Sequence, residues 1–216
     1  MDELSRLIEG FLRTTTASIS DALDRRGIRG FMSSDVKPRT VARRIAGPAV
    51  PVREVPSADK QPPLLAIEAI DAAAPGSIIV IGADNAPEVA LWGGLMSAAA
   101  RARGLAGAVL DGGVRDVVEI RRDHDFPVYA RSAVPSTTVG RYVTVERDVP
   151  VWCGGVQVHP GDIVVADDDG VVVVPRAIAG EVLQDAMAID EVEARMTAEL
   201  RQGRPFMEVF RKHARI

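Results

Sequence analysis

Apolar residues recur at Leu4, Leu7, Ile8, Phe11 and Leu12, a spacing that lays one greasy stripe along a helix, so the chain is predicted to begin with an amphipathic helix. In SISDALDRRG, Ser18 and Asp21 stand at capping-box spacing ahead of Ala22 and Leu23, and Gly27 is a plausible stop, which predicts a second helix of roughly two to three turns. RIAGPAVPVRE then alternates as a strand does, with prolines that suggest a sheet edge or a bent start. LLAIEAIDAAAPG reads as a helix ended by Pro75-Gly76, SIIVIG as a short apolar strand, VALWGGLMSAAARARG as a helix and LAGAVLDG as a strand. Strand, helix, strand in succession predicts that part of the sheet is parallel.

Beyond residue 126 the pattern changes to strands, in FPVYA, GRYVTVERDVPVW, VQVHPGDIVVAD and GVVVVP, with turn chemistry in HPGD and DDDG. Residues 176–201 form one long predicted helix, with Ile178, Val182, Leu183, Ala186, Ile189, Val192 and Met196 along a single stripe. The expected organisation is therefore an α/β domain over 1–175 and a C-terminal helical arm over 176–216, and a helix of this length at the end of a domain often reaches a neighbouring subunit.

Composition narrows the function classes. The chain has 216 residues, 47% of them hydrophobic and 26% charged, enough for one globular domain plus an arm. A net charge of -4 argues against a nucleic-acid partner, since phosphate binding relies on clustered Lys and Arg, and the pairs Arg43-Arg44 and Arg121-Arg122 are too short to make such a patch. No run of about 18 apolar residues predicts a membrane span, and the acidic start MDELSRL lacks the marks of a signal peptide, so the expected location is the cytoplasm. The lone Cys153 reads as a small buried residue rather than a nucleophile.

The stretch LDGGVRDVVEI, residues 110–120, carries the candidate chemistry. A strand ending in VLD, then two glycines and Arg115-Asp116, describes a loop at the carboxyl end of a sheet strand, where open α/β sheets place ligands. Gly112 and Gly113 are expected to let backbone N–H groups approach an anion or to take positive φ. Neighbours on a helix do not face each other, so the two charges are expected to serve different partners. Arg115 offers a planar fork of donors for a carboxylate or developing oxyanion, and Asp116 offers hard oxygen to a divalent metal. The alternative reading makes Arg115 a surface ion-pair residue and Asp116 the cap of the next helix.

The longer run WGGLMSAAARARGLAGAVLDGGVRD, from Trp92 to Asp116, resembles the signature of the family that contains 4-hydroxy-4-methyl-2-oxoglutarate aldolase and the protein regulator of ribonuclease E activity. Gly93, Leu95, Arg103, Gly104, Gly107, Val109, Asp111, Gly112, Arg115 and Asp116 match its pattern in register. The resemblance implies a swivelling β/β/α sandwich-like domain that assembles as a homotrimer or homohexamer with the active site between subunits. It implies that Asp116 helps to hold Mg²⁺ or Mn²⁺, and that Arg115 contacts the oxygen of a small 2-oxo acid bound against Gly93, Gly94, Leu95 and Met96. It also implies a carboxylate from the next subunit's C-terminal helix, for which this chain offers Glu191 and Glu193. Gly94 departs from the pattern, because the aldolases carry an acid there. The implied activity is a metal-dependent pyruvate aldolase cleaving 4-hydroxy-2-oxo di- or tricarboxylic acids, with oxaloacetate decarboxylation as a side reaction. The alternative is a non-catalytic regulator acting through its outer surface, which Gly94 favours.

The remaining residues weigh on that choice. Carbon–carbon cleavage that leaves an enolate needs a lysine Schiff base or a metal. Lys37, Lys60 and Lys212 all lie outside the glycine-rich region, which disfavours the Schiff base. His124, His159 and His213 show no paired ligand spacing, so hard oxygen ligands and Mg²⁺ or Mn²⁺ are expected rather than zinc. GGLMSAAARARG also resembles a phosphohistidine loop, but Ala98 stands where the histidine is needed. DDDG reads as a hairpin turn rather than a calcium loop, with Asp169 near the metal site. Asp84 and Asn85 either line the pocket or begin a turn, and Trp92 reads as a packing residue.

Overall fold

A computed structural model describes residues 2–213. Its helices are α1 (Glu3–Arg13), α2 (Thr16–Asp24), α3 (Leu64–Ala72), α4 (Gly94–Ala102), the single turn α5 (Val117–Glu119), α6 (Ala179–Arg201) and α7 (Phe206–His213). Its strands are β1 (Lys37–Pro38), β2 (Ile45–Pro56), β3 (Ile78–Trp92), β4 (Gly107–Val114), β5 (Val128–Ala133), β6 (Tyr142–Arg147), β7 (Val151–Cys153), β8 (Val156–Val158), β9 (Ile163–Asp167) and β10 (Gly170–Val174). The result is the expected mixed α/β domain with a C-terminal helix. None of the helices among the described residues is long and apolar enough to cross a membrane.

The main sheet runs β1-β5-β4-β3-β2-β9-β10, with β6 also paired to β2. Strands β2 to β5 are mutually parallel, as the strand–helix–strand pattern predicts, and the others join antiparallel. Alternate residues feed opposite faces, as a period of two requires. Ile79, Ile81, Ala108 and Leu110 pack under α3 and α4, while Ile78, Val80, Val109 and Tyr129 pack against the β7–β8 hairpin. A third cluster joins α1, α2 and the first half of α6 to β9 and β10.

Three expectations about elements need correction. The proline-bearing strand β2 is interior, not an edge: Pro48 ends its register with β9, and the register with β6 starts only at Val52, after Pro51. Helix α2 begins earlier than the Ser18–Asp21 box, because Thr15 caps it by accepting from Ser18 N–H at 3.1 Å, and Thr16 N–H donates to Asp167 at 3.1 Å. Val89–Trp92, read as the start of a helix, instead continues β3, and α4 starts only at Gly94. Burial on both sides wins there over the helical period of the alanine-rich run that follows. The second half of β3 lies over β4 through three register shifts, with Asp84 and Asn85 at positive φ of 48° and 62°.

The C-terminal arm packs first on its own chain. Ala179, Val182, Leu183, Ala186 and Ile189 are buried against α1 and α2, and Ser18 donates a short hydrogen bond to Asp190. Helix α7 folds back on α6, where Glu199 accepts from Lys212 Nζ at 2.7 Å.

Candidate active site

The glycines of LDGGVRD are strand residues and not a loop. Gly112 and Gly113 lie inside β4, and neither takes positive φ. Their role is close approach: a Cβ on Gly112 would come within 2.7 Å of Leu91 and 2.9 Å of the Ala86 carbonyl oxygen, and one on Gly113 within 2.7 Å of Val134. The bulged half of β3 can settle on β4 only because these side chains are missing.

Beyond β4 the chain turns sharply. Arg115 N–H donates to the Trp92 carbonyl at 3.0 Å, and Asp116 takes the left-handed conformation at φ 59°, ψ 30°. Asp is one of the few residues that tolerates that region, which elsewhere costs on the order of 1–3 kcal/mol. The turn swings the Asp116 carboxylate onto the start of α4, where Oδ2 accepts from Gly94 N–H at 2.9 Å. Asp116 therefore caps α4 and not the helix that follows it, for which its side chain makes no capping bond. The expectation that Arg115 and Asp116 would not meet fails for the same reason. Both precede α5, and Arg115 Nε lies 3.5 Å from Asp116 Oδ2.

Gly93 is required by this arrangement, since a Cβ there would stand 2.8 Å from Asp116 Oδ2 and 3.2 Å from Arg115 Nε. Gly94 faces a second carboxylate: Glu119 Oε1 lies 2.8 Å from where its Cβ would be. Glu119 was not singled out in the sequence; it ends α5, three residues after Asp116. Its other neighbour is His124 Nε2 at 3.7 Å. Residues Leu95 and Met96 follow in the first turn of α4, whose N–H groups have no intrahelical acceptor and no capping side chain from Gly93.

Arg115, Asp116 and residues 93–96 line one cavity of about 300 Å³, closed by Pro62, Pro63, Ile67 and the 137–139 segment. Arg115 and Asp116 are each partly exposed there, at 44% and 38% of their side chains. Trp92 borders the cavity but acts in packing: it is buried, stacks on Phe126 with ring centres 6.0 Å apart, and donates from Nε1 to Ser97 at 2.8 Å.

Other candidates lie elsewhere. Asp111 is buried and fully engaged, accepting from Arg131 Nε at 2.9 Å, Gly154 N–H at 2.8 Å and Asn85 N–H at 2.7 Å. It ties β4 to β5, to the β7–β8 turn and to the bulge of β3, and so fixes the strand end on which Arg115 stands. Asp84 does not line the cavity, and Asn85 spends its N–H on Asp111. Asp168-Asp169 form the β9–β10 turn as expected, but Asp169 faces a separate cleft with Thr16 and Arg29 and not the Asp116 cavity. Cys153 is buried, and burial pushes its thiol well up from the ordinary value, which keeps it inert. Within one chain Glu191 and Glu193 do not reach the cavity. Glu191 lies 4.0 Å from Arg195, and Glu193 lines a hollow with Arg25 and Phe206.

One buried acid has no counterpart in the sequence reading. Glu54, on β2 opposite Thr144, is 1% exposed, and neither of its carboxylate oxygens has a hydrogen-bond partner. Burial raises its pKa to about 8.

Among the described residues no three His, Cys, Asp or Glu side chains gather as a metal-binding group. Asp116, with one oxygen engaged by Gly94 N–H and the other open, supplies hard oxygen on its own. That donor set suits Mg²⁺ or Mn²⁺, which are bound through one or two carboxylates and otherwise by water and substrate oxygens, and does not suit zinc.

Comparison with known proteins agrees with the geometry. The family model described as RraA-like, Aldolase/RraA, matches residues 16–173, which includes every residue of the cavity. The chain is 35% identical over 199 residues to a Halalkalibacterium halodurans protein named "Putative 4-hydroxy-4-methyl-2-oxoglutarate aldolase", covering 89% of each. It is 32% identical over 203 residues to Protein DlpA of Legionella pneumophila, covering 94% of this chain but only 33% of that longer protein. The crystal structure of Streptomyces coelicolor RraAS2, described as an unusual member of the RNase ES inhibitor RraA protein family, superposes with a TM-score of 0.79 at 28% identity, over 91% of this chain and 98% of that one. Sheet order, the Arg115–Asp116 turn at the end of β4 and the family match over most of the chain lead to one assignment: this protein belongs to the RraA-like, Aldolase/RraA family.

Proposed function

We propose that the chain is a divalent-metal-dependent pyruvate aldolase that cleaves 4-hydroxy-2-oxo acids of the 4-hydroxy-4-methyl-2-oxoglutarate type and decarboxylates oxaloacetate through the same enolate. The observation that carries this reading is the meeting of one guanidinium, one half-open carboxylate and the first turn of α4 in a single cavity. Mg²⁺ or Mn²⁺ bound at Asp116 would supply Lewis-acid stabilisation of the enolate oxygen.

The chain's own groups do the rest. Arg115 presents a planar donor fork to the substrate's carboxylate or 2-oxo oxygen, and a charge-assisted bond there strengthens as negative charge develops. The first turn of α4 adds N–H groups and the positive end of its dipole, with Leu95 and Met96 placed to orient the bound acid. The Gly94 N–H bond to Asp116 holds that carboxylate in one orientation, so little reorganisation is needed when the ligand arrives. A carboxylate from a second copy of this chain, Glu191 or Glu193, completes the site in a homotrimer or homohexamer. The likeness to RraAS2 and the missing acid at Gly94 favour a second reading, a regulator that binds another protein through its outer surface.

Pyruvate release from 4-hydroxy-4-methyl-2-oxoglutarate and from oxaloacetate, followed with Mg²⁺ and again with a chelator, separates the two. The aldolase reading expects turnover that the chelator abolishes. Its absence with both substrates leaves the regulator reading.

A further inference from the structure

Gly94, a residue of the cavity wall, touches two carboxylates. Its N–H donates to Asp116 Oδ2 at 2.9 Å, and the space that a side chain at 94 would occupy is taken by Glu119, whose Oε1 lies 2.8 Å from the position of a Cβ. The Glu119 side chain is 49% exposed, so water reaches it and it is free to swing. Behind it the backbone departs from the α-helix. Residues five apart point away from each other on an α-helix, but the chain makes one π-helical turn over Ile120–His124, which brings positions five apart onto the same side. His124 Nε2 stands 3.7 Å from Glu119 Oε1 as a result. An acid beside the start of α4 thus has an imidazole within reach for onward transfer of a proton.

Resting on the aldolase reading, we propose that Glu119 is the general base that removes the proton of the substrate's C4 hydroxyl, directly or through one water. Cleavage requires that proton to leave, and the two charged groups of the cavity wall do not take it. The Arg115 guanidinium stays protonated, and Asp116 is engaged by the metal and by Gly94 N–H. Glu119 is the carboxylate next to both, against the same glycine. In the step, the C4 hydroxyl proton passes to a Glu119 oxygen and the O–H electron pair forms the new C4 carbonyl. The C3–C4 bond breaks, its electron pair passes to the enolate, and the enolate takes a proton from water at C3 to give pyruvate. His124 accepts the proton from Glu119 and returns it to solvent. Decarboxylation of oxaloacetate reaches the same enolate by losing CO₂ from C4, and no hydroxyl proton is removed on the way. A base at Glu119 therefore serves one reaction and not the other, whereas a group that holds the metal or the fold serves both.

The test measures kcat and KM of the full-length protein and of Glu119→Gln, with saturating Mg²⁺, for cleavage of 4-hydroxy-4-methyl-2-oxoglutarate and for decarboxylation of oxaloacetate. The proposal expects kcat for cleavage to fall by about 10²–10⁴-fold, the usual contribution of a general base, with KM little changed and decarboxylation within about threefold of wild type. Retained decarboxylation also shows that the variant folds, and Glu119→Ala serves the same purpose should Glu119→Gln fail to fold. Equal loss of both activities in a folded variant overturns the proposal, because Glu119 would then act through the metal or the fold. Unchanged cleavage overturns it as well, and selective loss of cleavage in Glu191→Gln or Glu193→Gln instead would give the base to a second copy's helix. Wild type that decarboxylates oxaloacetate but does not cleave the hydroxy acid overturns the base while leaving the enolate chemistry in place. Turnover of neither acid removes the aldolase reading itself and this proposal with it.

Discussion

Glu54 offers a sharp physical test of the core. Its carboxyl is buried with no partner for either oxygen, and its pKa rises to about 8 from an ordinary 4.5. Between those values the folded chain holds a proton that the unfolded chain has released, so stability falls as pH rises across the window. The contribution is fully present below about pH 4.5 and is lost as pH climbs through 8. At about 1.4 kcal/mol per pH unit, the gap between 4.5 and about 8 corresponds to on the order of 5 kcal/mol. That is a large fraction of the roughly 5–15 kcal/mol that holds a typical domain together. Glu54→Gln keeps the shape and removes the titration, so variant and wild type should be nearly equal at about pH 4.5 and diverge steadily above it, the variant being several kcal/mol more stable by pH 9. Denaturant unfolding across that range, at one protein concentration, measures both curves. Parallel curves would show that Glu54 does not carry a proton at neutral pH and would refute the reasoning.

Three further predictions concern the cavity and the strand end that supports it. Gly93→Ala places a methyl 2.8 Å from Asp116 Oδ2 and 3.2 Å from Arg115 Nε; it should lower kcat/KM for oxaloacetate more than tenfold while circular dichroism stays native. Asp111→Asn removes the buried counter-charge of the Arg131 guanidinium, 8% exposed, and leaves it paired with Asp35 at 2.7 Å, so it should cost about 1–3 kcal/mol in denaturant unfolding. Gly94→Asp brings a second carboxylate beside Asp116 and should tighten Mn²⁺ binding by isothermal titration, because the Glu119 carboxylate 2.8 Å from the new Cβ is the end of a flexible, 49% exposed side chain that can swing aside. Unchanged Mn²⁺ affinity in a folded Gly94→Asp variant would show that position 94 does not face the metal.

Much of this fold is written in local periodicity. The stripe from Leu4 to Leu12 became α1, the stripe from Val182 to Ile189 became the buried half of α6, and DDDG became the β9–β10 turn. The strand–helix–strand pattern gave the parallel run from β2 to β5. Legibility failed where tertiary contacts override local preference. Val89–Trp92 sits beside a helix-forming alanine run, yet it is strand because it is clamped between α3, α4 and β4. Gly112 and Gly113 look like loop glycines, and their purpose shows only once Leu91 and Val134 lie against them. The prolines of β2 suggested an edge because sequence does not reveal that β9 and β6 share one strand in succession.

The candidate site was legible as residue types but not as geometry. Arg115 and Asp116 line one cavity with residues 93–96. The contact between them, and the Asp116 bond to Gly94, depend on one left-handed residue that no spacing announces. Asp111, which matches the same pattern, is a buried brace that accepts from Arg131 and Gly154. Glu119 and Glu54 stayed hidden because a single acid carries no periodic signal. Glu191 and Glu193 lie outside the cavity within one chain, so any part they take requires a second copy.

The central claim is that Asp116 holds a divalent ion beside a guanidinium that reads the substrate's oxygens, and Mn²⁺ titration followed by the electron paramagnetic resonance of the free ion tests it most directly. With wild type, one saturable Mn²⁺ per chain is expected, bound more tightly when oxalate, a mimic of the pyruvate enolate, is added. Asp116→Asn should abolish that binding, and Arg115→Ala should retain it while losing the effect of oxalate. Binding by wild type that persists unchanged in Asp116→Asn, or no binding by wild type at all, would contradict the account.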